Sequence, residues 1–240
     1  MKKVLSFENV CSGYGRIRIL DNLSFDVEEG EVLGVIGPNG SGKTTMLNTL
    51  AGLLRPFSGR IIYGGRDISR LPPYSRCRIG IGRTFQIPRP FTGMTVLENV
   101  LAASVHGGGM SRKEAAFFAE ECLETVGLGD RKNESAAALT LLDCKKLEVA
   151  RALGTRPKLL LLDEAAAGLT EAEVGEVMEL VARLKKQKLT VIWIEHVLEA
   201  MENSTDRLMC MAQGRNVICG LPREVTASEI VEEIYLGGRE

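Results

Sequence analysis

The sequence predicts an α/β fold that combines a mostly parallel sheet with an N-terminal antiparallel β lobe and an inserted helical subdomain. Three observations predict it. Short apolar runs and glycines crowd the first third of the 240-residue chain, and helical patterns fill the middle. In the last third, continuous apolar strands alternate with helices, which is typical of a parallel sheet covered on both faces. Ligands of such sheets bind at the carboxyl ends of the strands.

The predicted strands are short apolar runs bounded by turn residues. In chain order they cover residues 5–10, 23–27, 32–36, 60–63, 159–162 and 190–194. One helix is expected in the N-terminal third, beginning at Gly42.

The remaining predicted helices have apolar residues at helical spacing. They cover residues 96–104, 112–126, 145–153 and 171–186. We therefore expect one domain over residues 1–240. Within it, residues 1–86 and 155–240 would form the α/β core with its β lobe, and about 87–154 would form the helical subdomain.

Composition excludes several classes of function. The 30 Lys and Arg residues balance 31 Asp and Glu residues, which leaves a net charge of −1 and argues against a nucleic-acid partner. The six cysteines include no CxxC pair and only two histidines accompany them, so a zinc site is not expected. No apolar run reaches the ~18 residues of a spanning helix. We therefore expect no direct insertion into a membrane.

A glycine-rich motif predicts phosphate binding. The run Gly37-Pro38-Asn39-Gly40-Ser41-Gly42-Lys43-Thr44 matches G-x-x-x-x-G-K-[ST] between a predicted strand and a predicted helix. Its backbone N–H groups and the helix N-terminus would cradle the phosphates of ATP. Lys43 would neutralise the β- and γ-phosphates, and the Thr44 hydroxyl would ligate Mg²⁺. The motif predicts a P-loop NTPase core, against the alternative of a glycine-rich turn that matches by chance.

Acidic and imidazole side chains follow two of the predicted strands. Four leucines precede Asp163 and Glu164, as in a Walker B strand. Asp163 would hold Mg²⁺, and Glu164 would act as the general base on the attacking water. His196 follows the strand over 190–194 and could sense the γ-phosphate. The alternatives are a solvated acidic turn and a structural or surface histidine.

In this order, the motifs resemble an ABC-type ATPase over nearly the whole chain. The resemblance implies that Tyr14 stacks on adenine and that nucleotide contacts extend to Thr45. It also implies that Gln86 reaches the metal and the γ-phosphate and connects them to a transmembrane subunit. An aromatic residue at a strand edge and a solvated loop amide are the alternatives for Tyr14 and Gln86.

Two segments narrow the resemblance to the ATPase subunits of branched-chain amino acid importers. These segments are Arg83-Thr84-Phe85-Gln86 and residues 94–100. The tail over 233–238 is similar to the tail of the sister ATPase subunit in the same importers. Importers of urea or short amides look much alike. The resemblance implies a second ATPase subunit, transmembrane permease subunits and a cytoplasmic position on the inner face of the membrane. A soluble ABC ATPase acting on DNA or the ribosome, and a regulatory module with weak turnover, are the competing functions.

The chain departs from the family at its signature. The family's Leu-Ser-Gly-Gly-Gln acts in trans on the nucleotide of the opposite subunit, and here it is Leu139-Thr140-Leu141-Leu142-Asp143. Thr140 keeps a hydroxyl, the two leucines add bulk where glycine lets the backbone approach phosphate, and Asp143 adds negative charge. We therefore expect an asymmetric heterodimer. Ala165 and Thr170 also replace the family's proline and aspartate.

Overall fold

The computed structural model describes residues 2–236, so Gly237 and Gly238 of the predicted tail lie outside the described residues. The chain divides into two compact units. The first contains residues 2–76 and 190–236, and the second is Cys77–Leu189. The predicted limits of the helical subdomain, about 87–154, fall inside the second unit and remain a prediction.

The strands and helices are numbered in chain order. The strands are β1 (Lys3–Tyr14), β2 (Ile17–Glu28), β3 (Val32–Ile36), β4 (Ser58–Tyr63), β5 (Arg66–Asp67), β6 (Ile81–Arg83), β7 (Leu159–Asp163), β8 (Thr190–Ile194), β9 (Arg207–Ala212) and β10 (Arg215–Gly220). The helices are α1 (Lys43–Leu50), α2 (Pro73–Arg78), α3 (Val96–His106), α4 (Arg112–Val126), α5 (Leu141–Gly154), α6 (Glu171–Lys186), α7 (Leu198–Ser204), α8 (Pro222–Thr226) and α9 (Glu229–Leu236).

The N-terminal lobe of the first unit is an antiparallel sheet in the order β2-β1-β4-β5. Its core side chains come from alternating positions, as a half-buried sheet requires. Phe7 and Phe25 face each other across β1 and β2 and stack with ring centroids 4.6 Å apart. The expected antiparallel lobe is confirmed.

The same unit holds a second group of strands in the order β10-β9-β3-β8. β3 runs parallel to β8 and β9, and only β10 is antiparallel. All residues of β3 and β8 are buried, which explains their continuous apolar sequences. Because Val35 pairs with Ile194, the residues that follow these two strands emerge side by side. The mostly parallel character of the core is confirmed.

The second unit joins a parallel strand pair to a group of helices. β6 pairs with β7, with Arg83 opposite Leu161. Helices α3, α4 and α5 pack against one another. Capping boxes begin α3 at Thr95, α4 at Ser111 and α6 at Thr170, each with a glutamate three residues later. These caps explain why α4 and α6 begin where the sequence predicts.

Several expectations about the elements were inaccurate, and β1 and β2 each run over 12 residues rather than over the shorter predicted ranges 5–10 and 23–27. The N-terminal third contains α2 besides the single helix expected there, and α5 begins at Leu141 rather than near residue 145. Thr140 caps α5 and thereby adds a turn that the apolar spacing does not reveal. Within residues 2–236, no helix combines the length and the apolar character needed to cross a bilayer.

Candidate functional site

The phosphate loop connects β3 to α1, and its glycines are required by the backbone. Gly37 has φ +145°, and a Cβ there would lie 2.1 Å from the carbonyl oxygen of Met211. Gly42 has φ +102° and takes the N-cap position of α1. Since a glycine has no side chain with which to cap a helix, the first N–H groups of α1 remain available to a ligand.

Polar groups of the loop are arranged for an anion. Lys43 is 6% exposed, and its Nζ donates to the carbonyl oxygens of Gly37 at 2.7 Å and Pro38 at 3.0 Å. The Oγ of Ser41 is buried and makes no hydrogen bond within residues 2–236. Thr44 is exposed at the start of α1, whereas Thr45 is buried. A buried ammonium, an unused hydroxyl and an open helix N-terminus fit the phosphates of a nucleotide.

The other end of α1 is held by a buried arginine. Arg76 is 1% exposed, and its Nη1 donates to the carbonyl oxygens of Thr49 at 2.7 Å and Leu50 at 2.8 Å. Its Nε donates to Leu71 O at 2.9 Å. Burial lowers the pKa of Arg76 to about 10, and the guanidinium stays charged at neutral pH. This cation stabilises the negative end of the helix dipole and fixes the helix that carries the loop.

Tyr14 and His196 lie in the same unit as the phosphate loop. Tyr14 ends β1 with its ring half exposed, and its hydroxyl accepts a hydrogen bond of 2.8 Å from Asn48 Nδ2 on α1. His196 is exposed just after β8, beside the strand that leads into the loop. The structure therefore anchors Tyr14 to the loop's own helix and brings His196 to the same sheet edge.

In the second unit, the pairing of β6 with β7 brings residues 83–86 into contact with Asp163 and Glu164. Arg83 Nη2 lies 3.2 Å from Asp163 Oδ2, and this ion pair is nearly inaccessible to solvent. The Asp163 N–H donates to Thr84 Oγ1 at 3.3 Å. Gln86 Nε2 donates to Glu164 Oε2 at 2.5 Å. The structure thus brings Gln86, Asp163 and Glu164 together.

Glu164 has an unusual backbone that a second group supports. Its φ of +49° lies in the left-handed region, which is costly for a residue with a side chain. Lys145 Nζ, itself 6% exposed, donates to the Glu164 carbonyl oxygen at 2.8 Å. Ala165, which replaces the family's proline, is buried. The strand end is held by side-chain contacts rather than by a proline ring.

The signature segment differs from its expected form in two respects. Leu141 is 49% exposed, but Leu142 is only 7% exposed, so one leucine rather than two adds bulk at the surface. Asp143 forms a short ion pair with Arg131 and accepts from Thr140 Oγ1 at 2.6 Å. The charge of Asp143 is therefore compensated within the chain, which reduces the Coulomb cost expected from the sequence.

The structure adds three residues to which the sequence analysis gave no role. They are Arg83 on β6, Lys145 on α5 and Tyr235 on α9, whose hydroxyl accepts a hydrogen bond of 3.0 Å from Gly37 N–H. Arg83 and Tyr235 stand in segments that carried the family resemblance. Their contacts, however, could not be predicted from those segments. The contact of Arg83 with Asp163 depends on the register of β6 and β7, and Tyr235 and Gly37 are 198 residues apart in sequence.

Known proteins share this architecture. A family model described as ABC transporter matches residues 20–167. The high-affinity branched-chain amino acid transport ATP-binding protein LivG of Salmonella typhimurium is 34% identical, with 98% of both chains covered. The structure of an ATP-binding cassette of an ABC transporter in its ADP conformation matches with TM-score 0.90 and 33% identity, covering 99% of this chain and 100% of that one. A dimeric bacterial ABC transporter cassette matches with TM-score 0.81 and 26% identity, covering 91% and 99%. This chain belongs to the ABC transporter family.

Proposed function

We propose that this chain is the ATP-binding and ATP-hydrolysing subunit of an ABC importer for branched-chain amino acids or a related small polar solute. The phosphate loop carries the proposal, because Lys43 and the open N-terminus of α1 form a site for the phosphates of a nucleotide. The substrate class is supported by LivG, a full-length relative named for branched-chain amino acid transport.

Each predicted site residue has a distinct role in this proposal. Tyr14 stacks on the adenine, and the loop from Gly37 to Thr45 holds the phosphates. Glu164 is the general base, and Gln86 orients its carboxylate through their hydrogen bond. His196 contacts the γ-phosphate. These roles follow from the family resemblance, and the phosphate loop, Glu164 and His196 each follow a strand that has a parallel neighbour.

Mg²⁺ fits the donors that the chain provides. Thr44, Gln86 and Asp163 offer hydroxyl, amide and carboxylate oxygens, the hard donors that Mg²⁺ prefers. Residues 2–236 contain no cluster of three or more His, Cys, Asp or Glu side chains suited to a metal. Bound by the three donors, Mg²⁺ would neutralise charge that develops on the phosphates.

The partners are a second ATPase subunit and transmembrane permease subunits. Four apolar side chains are exposed near Gln86, and such a patch indicates a protein contact: Phe85, Ile87, Phe91 and Met94. A permease segment docked on this patch would hold the chain at the inner, cytoplasmic face of the membrane. The dimeric cassette of known structure supports pairing with a second ATPase domain.

The dimer is asymmetric in this proposal. The chain's own phosphate loop, Glu164 and His196 would meet an intact signature on a sister subunit. The sister's nucleotide would face Thr140, Leu141 and Asp143 and turn over slowly. The ion pair of Asp143 with Arg131 and the exposed Leu141 also favour a second candidate function, a regulatory ABC ATPase with weak turnover.

Replacing Glu164 with Gln distinguishes these two functions. The variant should bind Mg-ATP as the wild type does, while turnover falls by about 10²- to 10³-fold because the general base is lost. Glu171→Gln, an exposed carboxylate at the start of α6, is the matched control and should leave turnover unchanged. Unchanged turnover in Glu164→Gln would favour the regulatory function.

Mixing experiments test the asymmetry. ATPase activity is measured for the chain alone, for its sister subunit alone and for their equimolar mixture. We expect the mixture to exceed the sum of the separate rates, because only the mixed dimer pairs this phosphate loop with an intact signature. Equal rates per phosphate loop in all three samples would rule out the asymmetric dimer.

A further inference from the structure

Helix α1 connects the phosphate loop to the strand that carries Tyr14. Lys43 is its first residue, and Asn48 stands five residues further on, about 7.5 Å along the helix axis. Asn48 Nδ2 donates to the Tyr14 hydroxyl at 2.8 Å. Next to this contact, the hydroxyls of Thr49 and Ser12 share a hydrogen bond of 2.9 Å. One helix of the first unit therefore holds both the Lys43 ammonium and the Tyr14 ring.

The two contacts between α1 and β1 hold different things. Ser12 and Thr49 are completely buried, so their hydrogen bond belongs to the core and fixes the strand. Tyr14 is 49% exposed, ends β1, and is separated from Ile17 on β2 by a two-residue turn. An exposed side chain at the tip of a hairpin samples several rotamers unless a contact selects one. The Asn48 amide makes that selection for the Tyr14 ring.

We propose that Asn48 is a positioning residue that holds the Tyr14 ring ready for the base and thereby sets how much the adenosine part contributes to nucleotide affinity. The inference rests on the proposed function, in which Tyr14 stacks on adenine. A ring that is already held loses little freedom when a base stacks on it, whereas immobilising a free side chain lowers affinity about two- to tenfold. The contacts of the phosphates with the loop and Lys43 do not depend on this amide.

The test compares two ligands by isothermal titration calorimetry in excess Mg²⁺: ATP, and inorganic tripolyphosphate, which has neither ribose nor base. The ratio of the tripolyphosphate dissociation constant to the ATP dissociation constant measures the contribution of adenosine. Asn48→Leu keeps the size of the side chain but removes the amide donor. It should lower this ratio about three- to tenfold and leave the tripolyphosphate affinity within about twofold of wild type. An unchanged ratio, or equal weakening of both ligands, would overturn the inference.

A conservative variant checks that the hydrogen bond, rather than the residue's bulk, is responsible. In Asn48→Asp, the carboxylate accepts from the Tyr14 hydroxyl and keeps the ring held. Its added charge acts on both ligands, so the ratio should stay within about twofold of wild type. A ratio as low as the one expected for Asn48→Leu would overturn the inference, and this variant also keeps the test open if Asn48→Leu does not fold.

A double-mutant cycle isolates the pair from every other contact that Asn48 makes. Tyr14→Phe keeps a ring for stacking but removes the hydroxyl, so it should lower the ratio by about the same factor as Asn48→Leu. The double variant should show no further loss, because either substitution already breaks the one hydrogen bond. Two factors that multiply in the double variant would overturn the inference, since the residues would then act independently.

Ser12→Ala is the matched control. It removes the neighbouring hydrogen bond between β1 and α1, while the Thr49 hydroxyl keeps its bond of 2.7 Å to Thr45 O. The ratio should stay at the wild-type value, and a fall as large as that of Asn48→Leu would overturn the inference, because the effect would then come from the strand.

Tyr14→Leu separates failure of the inference from failure of the proposed function. If this variant lowers the ratio and Asn48→Leu does not, the ring contacts the base without help from Asn48, and only the inference fails. If wild type binds neither ATP nor tripolyphosphate, the proposed function fails together with it.

Discussion

Helices α1 and α5 both begin at a nucleotide-binding motif of the family, yet their N-termini are built in opposite ways. α1 starts after Gly42, which has no side chain to cap the helix, and no acidic residue stands in its first turn. α5 starts after Thr140, whose Oγ1 accepts from the Asp143 N–H at 3.2 Å. Asp143 brings a carboxylate into the first turn, and Arg131 pairs with it.

The two helices differ in which group interacts with the positive, N-terminal end of the helix dipole. In α5 the chain supplies its own hydroxyl and carboxylate, so little is left for a phosphate. In α1 no side chain of the described residues caps the first N–H groups, which are left for a ligand, and the Lys43 ammonium stands in the same turn. A motif can therefore keep its place in the fold while its N-terminus changes from a ligand site to a self-capped helix.

The largest expected effect comes from removing the cation of the open helix. Lys43→Ala should lower turnover by about 10²- to 10³-fold and weaken Mg-ATP binding, because the β- and γ-phosphates lose their ammonium partner. Titration with a fluorescent ATP analogue and a steady-state phosphate assay measure the two effects. Lys146→Ala in α5 is the matched control and should change neither by more than about twofold, since the largely buried Lys146 pairs with the half-exposed Glu176 and is none of the predicted site residues. Equal losses of turnover and of Mg-ATP binding in both variants would contradict the difference proposed between the N-termini of α1 and α5.

The next effect concerns stability and the other end of α1. Arg76→Met should lower the free energy of unfolding by about 3 kcal/mol, because the Thr49 and Leu50 carbonyl groups lose a buried charged donor. Urea denaturation followed by circular dichroism measures this change. Arg60→Met removes an exposed pair with Glu8 and should cost less than about 1 kcal/mol. Similar losses in the two variants would mean that the Arg76 cap does not hold the helix.

Parts of the fold whose signal is local could be predicted from the sequence. β3 and β8 have the predicted bounds because each is a fully buried apolar run that ends at a glycine or a charged residue. α4 and α6 have them because a serine or threonine followed three residues later by glutamate marks their starts. α5 was predicted too short, because its first turn depends on the Thr140 cap rather than on apolar spacing.

The contacts within the candidate site were less accessible to sequence reasoning. β6 has only three residues, too few for a periodic pattern, yet its register places Arg83 near Asp163. The contact of Tyr235 with Gly37 joins opposite ends of the chain. The motifs thus predicted the residue types of the site, and the side-chain pairs required the three-dimensional arrangement.

A third prediction reopens the N-terminus of α5. Leu141→Gly combined with Asp143→Gln removes the exposed bulk and the internal anion, so the turnover of the chain alone should rise about tenfold, equivalent to about 1.4 kcal/mol of barrier. Leu142→Gly is the control, because Leu142 is buried and its loss should cost about 2 to 4 kcal/mol of stability with no gain in turnover. No gain in the double variant would mean that the altered signature does not limit hydrolysis.

The smallest expected effect tests whether helix α9 helps to hold the phosphate loop in place. The Tyr235 hydroxyl accepts from Gly37 N–H at 3.0 Å, and burial raises the pKa of this phenol, which stays protonated at neutral pH. Next to this contact, a cavity of about 400 Å³ lies between the loop and α9, lined by Pro38, Asn39, Gly40, Ser41, Ala212, Gln213, Glu233 and Ile234. The hydrogen bond therefore restrains the loop at its first residue.

Tyr235→Phe should therefore weaken Mg-ATP binding about three- to fivefold, since one neutral hydrogen bond contributes about 1 kcal/mol. The ring remains, so the free energy of unfolding should change by no more than that amount. Tyr74→Phe removes the same hydroxyl from an exposed tyrosine on α2 and should leave affinity unchanged. Equal nucleotide affinity in Tyr235→Phe and Tyr74→Phe would contradict this prediction. The geometry at the N-terminus of α1 would then depend on the loop's glycines and Lys43, without a contribution from α9.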